Sequence, residues 1–295
     1  MSATVGELLR DARARLAAAG VKTPARDARL LLADALGAEV SALIGADREP
    51  VAESEREAFA GMLTARERRT PVSRIRGRTE FWSLPLSVSP ATLDPRPESE
   101  TLVAGVLDRV PDTSRPCRVL DLGTGTGCLL LALLSELPNA RGVGMESSPD
   151  AAATAAANAR ELGLAGRAGF AVMDWADALD GSFDVIVSNP PYVRAGDLAD
   201  LAPEVAVHDP RVALAGGDDG FAAYRRVLPA IARLLASDGV AAVELGAGQA
   251  ESVCELARDH GLASAAALAD LAGIDRCVLL AHVRERCVNA TPPLV

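Results

Sequence analysis

The chain has 295 residues, 49% of them apolar, with a formal net charge of −10. That length accommodates two domains and that apolar share a packed core, yet no unbroken apolar run approaches the ~20 residues of a membrane span. Five cysteines (Cys117, Cys128, Cys254, Cys277, Cys287) and three histidines (His208, His260, His282) are scattered without a C-x-x-C pair, which argues against a disulfide framework or a metal site.

The N-terminus MSATVGELLRDARARL lacks a signal-peptide core, so a soluble cytoplasmic protein is expected. Residues 4–19 set leucines at helical spacing and stop at Gly20. Thr23-Pro24 reads as an N-cap followed by proline at the first helical position, opening a helix that Gly37 stops. A further helix is expected from about Ala52 to Arg69, completing a helical domain over residues 1–77. The alternation Phe81-Trp82-Ser83-Leu84, Pro85, Leu86-Ser87-Val88 predicts a β-hairpin. It lies in a linker, 78–110, that also carries Pro95-Arg96-Pro97-Glu98-Ser99-Glu100.

Residues 111–284 alternate strand and helix, with strands expected near 117–121, 140–145, 168–173, 183–188, 239–245, 262–268 and 275–282. That order implies an α/β, doubly wound sheet with ligands at the carboxyl ends of its strands. The first strand runs into Asp121-Leu122-Gly123-Thr124-Gly125-Thr126-Gly127 and an apolar helix. Glycines there permit positive φ and let backbone N–H groups approach a ligand at a helix N-terminus. The spacing G-x-G-x-G, with no Lys-Ser/Thr pair, departs from phosphate loops. Asp121 would repel a pyrophosphate and suits the cationic end of S-adenosylmethionine. The second strand ends at Glu146, an acid placed to accept from both ribose hydroxyls. Asp174-Trp175 at the third strand exit offers a polar–aromatic pair for an adenine.

The fourth strand, Phe183–Ser188, stops at Asn189-Pro190-Pro191-Tyr192. Two prolines fix φ and remove two N–H donors, leaving the carbonyls and the Asn189 amide oxygen as pre-aimed acceptors. Such a cluster suits an NH2 group that gains positive charge as its nitrogen attacks an electrophile, and Tyr192 adds a flat face. Residues 202–220 are expected as a long irregular loop over this site, and 285–295, with Pro292-Pro293, as a frayed tail.

DLGTGTG, the acid Glu146, Asp174-Trp175 and VSNPPY together resemble the class I methyltransferases that modify a protein glutamine. Glu80-Phe81-Trp82-Ser83-Leu84-Pro85 and the Pro95–Glu100 run are similar to the peptide chain release factor glutamine N5-methyltransferases (the HemK/PrmC family). The similarity reaches from the N-terminal helices to Leu279. It implies a Rossmann-like domain of seven strands, the last antiparallel, preceded by a helical bundle that grips the protein substrate. It implies S-adenosyl-L-methionine as donor, S-adenosyl-L-homocysteine as product, no metal, and release factors as partners of a monomer. The implied target is the glutamine of their GGQ motif, and the implied effect a modulation of translation termination. Gly123, Thr124, Gly125, Thr126 and Gly127 would pass under the methionine part, Glu146 would hold the ribose, and Trp175 would cover the adenine.

An amide nitrogen is a poor nucleophile, and no histidine stands in the motifs to deprotonate it. Catalysis is then expected from positioning and from acceptors, Asn189 Oδ1 and the Pro190 carbonyl, with Tyr192 pressing on the substrate side chain. Arg96 is expected to pair with the methionine carboxylate or an acidic neighbour. Glu146, Asp94 and Ser99 depart from the family's more usual aspartate, aliphatic residue and threonine.

A nucleic-acid amino-methyltransferase, acting on adenine N6 or guanine N2, would use the same Asn-Pro-Pro-aromatic logic. Residues 1–80 carry 14 Lys and Arg against 12 Asp and Glu, and the remainder 16 against 28. An acidic second half repels phosphate backbones and suits a basic protein surface, although acidity also serves solubility. A cofactor-binding module without catalysis would show a damaged NPPY, which is intact here.

Overall fold

The computed structural model describes residues 3–283, so the tail expected over 285–295 lies outside the described residues. Four helices open the chain: α1 (Val5–Ala18), α2 (Pro24–Ala35), α3 (Glu53–Glu67) and α4 (Val72–Arg76). Thr4 starts α1 with a reciprocal cap, its Oγ1 accepting from the Glu7 N–H while Glu7 Oε2 accepts from the Thr4 N–H. Thr23 does not cap α2 as its position suggests. Its hydroxyl instead donates to Asp27 Oδ1 at 2.8 Å, and Asp27 receives Arg66 Nε at 2.7 Å from α3. The buried carboxylate draws the threonine away from the helix end. Leu16, Leu31, Leu32, Phe59 and Leu63 pack together beneath, each worth about 1.5–3 kcal/mol relative to exposure.

A hairpin follows, β1 (Arg78–Phe81) paired with β2 (Leu84–Ser87). Its two turn residues, Trp82 and Ser83, have φ of 52° and 58°, a conformation that side chains other than glycine rarely adopt. Carboxylates hold the turn: the Trp82 N–H donates to Glu100 Oε1 at 2.8 Å and its Nε1 to Glu136 Oε1 at 2.7 Å. Glu100 opens α5 (Glu100–Leu107).

The remaining elements are β3 (Arg118–Leu122), α6 (Cys128–Glu136), β4 (Arg141–Glu146), α7 (Pro149–Glu161), β5 (Ala168–Val172), β6 (Phe183–Ser188), α8 (Pro203–His208), α9 (Tyr224–Leu234), β7 (Leu235–Glu244), α10 (Ala250–Asp259), β8 (Leu262–Ser264), β9 (Leu268–Ala269) and β10 (Asp275–His282). The sheet runs β5-β4-β3-β6-β7-β10-β8, with β9 also beside β10. Strands β3 to β7 are mutually parallel, and β10 is antiparallel to its neighbours. This is the Rossmann-like sheet the motifs predict, with seven strands on its main path. The strand expected over 262–268 divides into β8 and β9. The Ala265 N–H still reaches the Leu279 carbonyl, but a register shift between Asp275 and Cys277 displaces the pairing beyond it. The loop expected over 202–220 carries a short helix, α8, and a 3-10 turn at Arg211–Ala213.

The chain winds from β3 outward through β4 and β5, then returns to β6 on the other side. The crevice at that reversal opens above the carboxyl ends of β3 and β6, where such sheets bind ligands. Leu122 and Ser188 are register partners there, and the Ser188 hydroxyl donates to the Leu122 carbonyl at 2.8 Å. The glycine loop and the diproline corner therefore leave the sheet side by side. No helix among the described residues is long and apolar enough to cross a membrane.

Candidate active site

A cavity of about 390 Å³ occupies the crevice, with both strand exits in its wall. Gly123, Gly125 and Gly127 take φ of 78°, 55° and 81°, as the alternate glycines require. The Gly125 N–H donates to Glu146 Oε2 at 2.9 Å, while Glu146 Oε1 accepts the Ser148 N–H at 3.1 Å. Trp175 lies over Gly123: a Cβ at that glycine would stand 3.6 Å from the ring. Trp175 itself has φ of 54°, a strained value for a bulky residue. Arg233 of α9 holds the neighbouring chain by donating to the Ala176 carbonyl at 2.7 Å.

Gly123, Thr124, Gly125, Thr126, Glu146, Asp174 and Trp175 all line the cavity. Asp121 and Gly127 do not. Asp121 is fully buried under the loop, where its Oδ2 accepts the Thr124 hydroxyl at 2.6 Å and its Oδ1 has no partner among the described residues. Burial pushes its carboxyl up to about 7, against the pull of the Thr124 hydrogen bond. Asp121 therefore lies beneath the cavity wall, out of direct reach of a ligand in the cavity. Gly127 opens α6, where a Cβ would sit 3.2 Å from Ala155 Cβ. Asp174 turns its carboxylate to Arg226, 3.2 Å away.

At the diproline corner, Asn189 and Pro191 line the cavity, whereas Pro190 is buried and Tyr192 stands behind them. The Tyr192 hydroxyl donates to Glu244 Oε1 at 3.2 Å, and its carbonyl accepts Gln249 Nε2 at 3.2 Å. The ring expected against the substrate is thus anchored toward β7. Gly216 runs so close to it that a Cβ there would meet Tyr192 Cα at 2.8 Å.

One site residue, Glu244, escaped the motif reading, and Ser99, read there only as a departure from threonine, is its partner. Glu244, 3% exposed at the end of β7, accepts the Ser99 hydroxyl on Oε2, and Asn189 Nδ2 donates to Ser99 Oγ at 3.4 Å. Burial pushes Glu244 up to about 7, although hydrogen bonds from Ser99 and Tyr192 pull it down. The available signal was an acid closing the apolar run Val240-Ala241-Ala242-Val243, the position already read as ligand-facing at Asp121 and Glu146.

Arg96 pairs with an acidic neighbour, Asp209, at 2.5 Å, and Arg74 of α4 reaches the other oxygen at 3.0 Å. Asp94 is buried, accepts the Ser73 hydroxyl at 2.6 Å, and is raised by that burial. The acid that replaces an aliphatic residue here thus has a partner in α4.

Residues 7–77 match the family model described as the PrmC N-terminal domain, and residues 113–275 match that of a methyltransferase domain. The chain is 47% identical over 290 residues to the release factor glutamine methyltransferase of Rhodospirillum rubrum, covering 98% of this chain and 88% of that protein. It is 43% identical over 277 residues to that of Agrobacterium fabrum, covering 93% and 96%. Among solved structures, the hMettl16 catalytic domain in complex with MAT2A 3'UTR hairpin 6 aligns at a TM-score of 0.53 and 16% identity, covering 69% of this chain and 77% of that one. That likeness shows the fold alone.

Proposed function

The chain belongs to the release factor glutamine methyltransferases, and from that premise we propose how its residues carry the reaction. The enzyme methylates the glutamine side chain of release factors, using S-adenosylmethionine. The proposed target is N5 of the glutamine in the GGQ motif, with S-adenosylhomocysteine as the other product. When bound, the donor supplies an electrophilic methyl group on a sulfonium.

The observation that carries this reading is the Ser188–Leu122 hydrogen bond, 2.8 Å long, which sets the glycine loop and the Asn-Pro-Pro corner on one cavity. The cavity fits the donor on three counts. The loop's positive-φ glycines put no side chain in the donor's path while their N–H groups are spent on Met145, Glu146 and Thr124, Glu146 offers a carboxylate for a diol, and Trp175 offers an aromatic face. Asp121, buried beneath the loop with one oxygen unpartnered and its carboxyl raised to about 7, would be drawn toward its ionised form by a positive charge above it.

Asn189 Oδ1 and the Pro190 carbonyl accept the two N–H groups of the glutamine amide in this account. They would orient the nitrogen and stabilise the positive charge that grows on it as the N–CH3 bond forms and the S–CH3 bond breaks, the surplus amide proton then passing to solvent. Each hydrogen bond to a charged group is worth about 1.5–3 kcal/mol, so the pair supplies a rate factor of roughly a hundred or more. Tyr192 fixes the corner from behind. We further propose a division at Gly77 between a substrate-gripping helical unit, residues 1–77, and a linker over 78–110, with methyl transfer assigned to 111–284. The nucleic-acid alternative is not favoured, because relatives covering nearly the whole chain are named for release factor glutamine.

The test is tritiated-methyl transfer by the purified protein to release factor, total RNA, DNA and ribosomal protein offered together. Label is expected on the glutamine amide nitrogen of the release factor; label in nucleic acid alone would overturn the reading.

A further inference from the structure

We propose that Glu244 is a positioning residue: through Ser99 it decides which end of the Asn189 carboxamide faces the cavity, an inference that rests on the acceptor role given to Asn189. A carboxamide is nearly symmetric in shape but not in chemistry. One end only accepts and the other only donates. Turned the wrong way, Asn189 would present N–H groups to a substrate amide that is itself a donor. The side chain has no covalent means of choosing, so a partner must choose for it.

That partner is Ser99, which has one proton to give. Ser99 Oγ donates to Glu244 Oε2, and the Tyr192 hydroxyl donates to Glu244 Oε1 at 3.2 Å. An ionised carboxylate only accepts, so it claims the Ser99 proton and leaves Oγ with lone pairs alone. Asn189 must then offer Nδ2, as it does at 3.4 Å, and Oδ1 is left for the cavity. The polarity of this relay follows from the charge on Glu244. A protonated Glu244 could instead donate to Ser99, whose own proton would then favour Asn189 Oδ1 and turn the amide over.

The other groups around Glu244 do not compete for that role. Burial raises Tyr192 and Tyr224, so both stay protonated donors, and the Tyr224 hydroxyl is spent on the Glu244 backbone carbonyl at 2.9 Å. Burial likewise pushes Cys128 and Cys277 up to about 12 and keeps them neutral. Arg276 favours the ionised carboxylate, and Glu98 opposes it. With Glu244 raised to about 7, turnover should climb as pH rises through that value.

The experiment uses the full-length enzyme with saturating release factor and donor, following kcat between about pH 6 and 9. Glu244→Gln places a side chain that can either donate or accept and so no longer dictates the relay. It is expected to lower kcat about tenfold to a hundredfold, to leave the donor Kd and the release-factor KM within about twofold, and to abolish the acidic limb near pH 7. Ser99→Ala should match that loss, Ser99→Thr should recover it, and Ser99→Ala combined with Glu244→Gln should cost little more than either alone. Should Glu244→Gln fail to fold, the Ser99 pair decides, and Ser99→Ala at wild-type kcat overturns the relay. An unchanged kcat in Glu244→Gln, or an acidic limb that survives the substitution, also overturns it. Asn189→Ala separates the two levels: if that variant turns over normally the acceptor reading itself fails, whereas its loss beside a normal Glu244→Gln rejects the relay alone.

Discussion

Arg69 of the segment after α3 and Glu204 of α8 meet fork to fork, through N–H···O bonds of 2.7 Å and 2.7 Å. Arg66 adds a third bond to the same carboxylate at 3.0 Å. The N-terminal helices are thereby tied to the segment that follows the diproline corner. Burial alone would raise the Glu204 carboxyl, but the hydrogen bonds from Arg69 and Arg66 prevail and hold it at about 2. A depressed carboxyl stabilises the fold above its unfolded value and loses that contribution as pH falls toward the folded one. The tie should therefore hold at neutral pH and release in acid, between about pH 4.5 and 2. Glu204→Gln should cost roughly 1–3 kcal/mol in denaturant titration and raise the release-factor KM more than it lowers kcat. An unchanged KM and midpoint would show that the tie does not position substrate.

Asp121 behaves with the opposite sign. Burial raises its carboxyl from 3.8 to about 7, so the folded protein holds a proton that the unfolded chain has already lost. Its contribution to stability is fully present below the unfolded value and is lost as pH rises through the folded one. Asp121→Asn keeps an oxygen for the Thr124 hydroxyl and removes the ionisation. The variant's Tm advantage over wild type should be small near pH 5 and grow by pH 8, measured without donor. A constant difference across that range would refute the assignment.

The hairpin turn offers a simpler test of backbone strain. Ser83 adopts φ of 58° where glycine is at ease. Relief of the left-handed penalty, about 1–2 kcal/mol, exceeds the entropy glycine adds to the unfolded chain. Ser83→Gly should therefore raise Tm by about 1–3 °C in thermal melts. A lower Tm would mean that the serine makes a contribution the hydrogen bonds at Trp82 do not replace.

The parts of the site that were legible in the sequence are local ones. Glycines 123, 125 and 127, the acid at 146 and the corner at 189–192 each announce a strand exit through neighbours a few residues away. Their convergence on one cavity follows from the winding of the sheet. What was not legible depends on distant partners. Ser99 meets Glu244 across 145 positions and Asn189 across 90, and no short pattern encodes either pairing. Tyr192 reads as a substrate-facing ring until β7 supplies a carboxylate for its hydroxyl. Asp121 reads as ligand-facing because strand ends usually are, yet the loop folds over it. The departure of Asp94 from an aliphatic residue likewise becomes intelligible only beside Ser73.

The central claim is that acceptor oxygens at the diproline corner, chiefly Asn189 Oδ1, carry the rate. Single-turnover methyl transfer by Asn189→Ala, with donor binding measured on the same preparation, tests it most directly. Donor affinity should stay within about threefold of wild type while the transfer step slows about a hundredfold or more. A transfer rate close to wild type, in a variant that binds donor and release factor normally, would contradict the account.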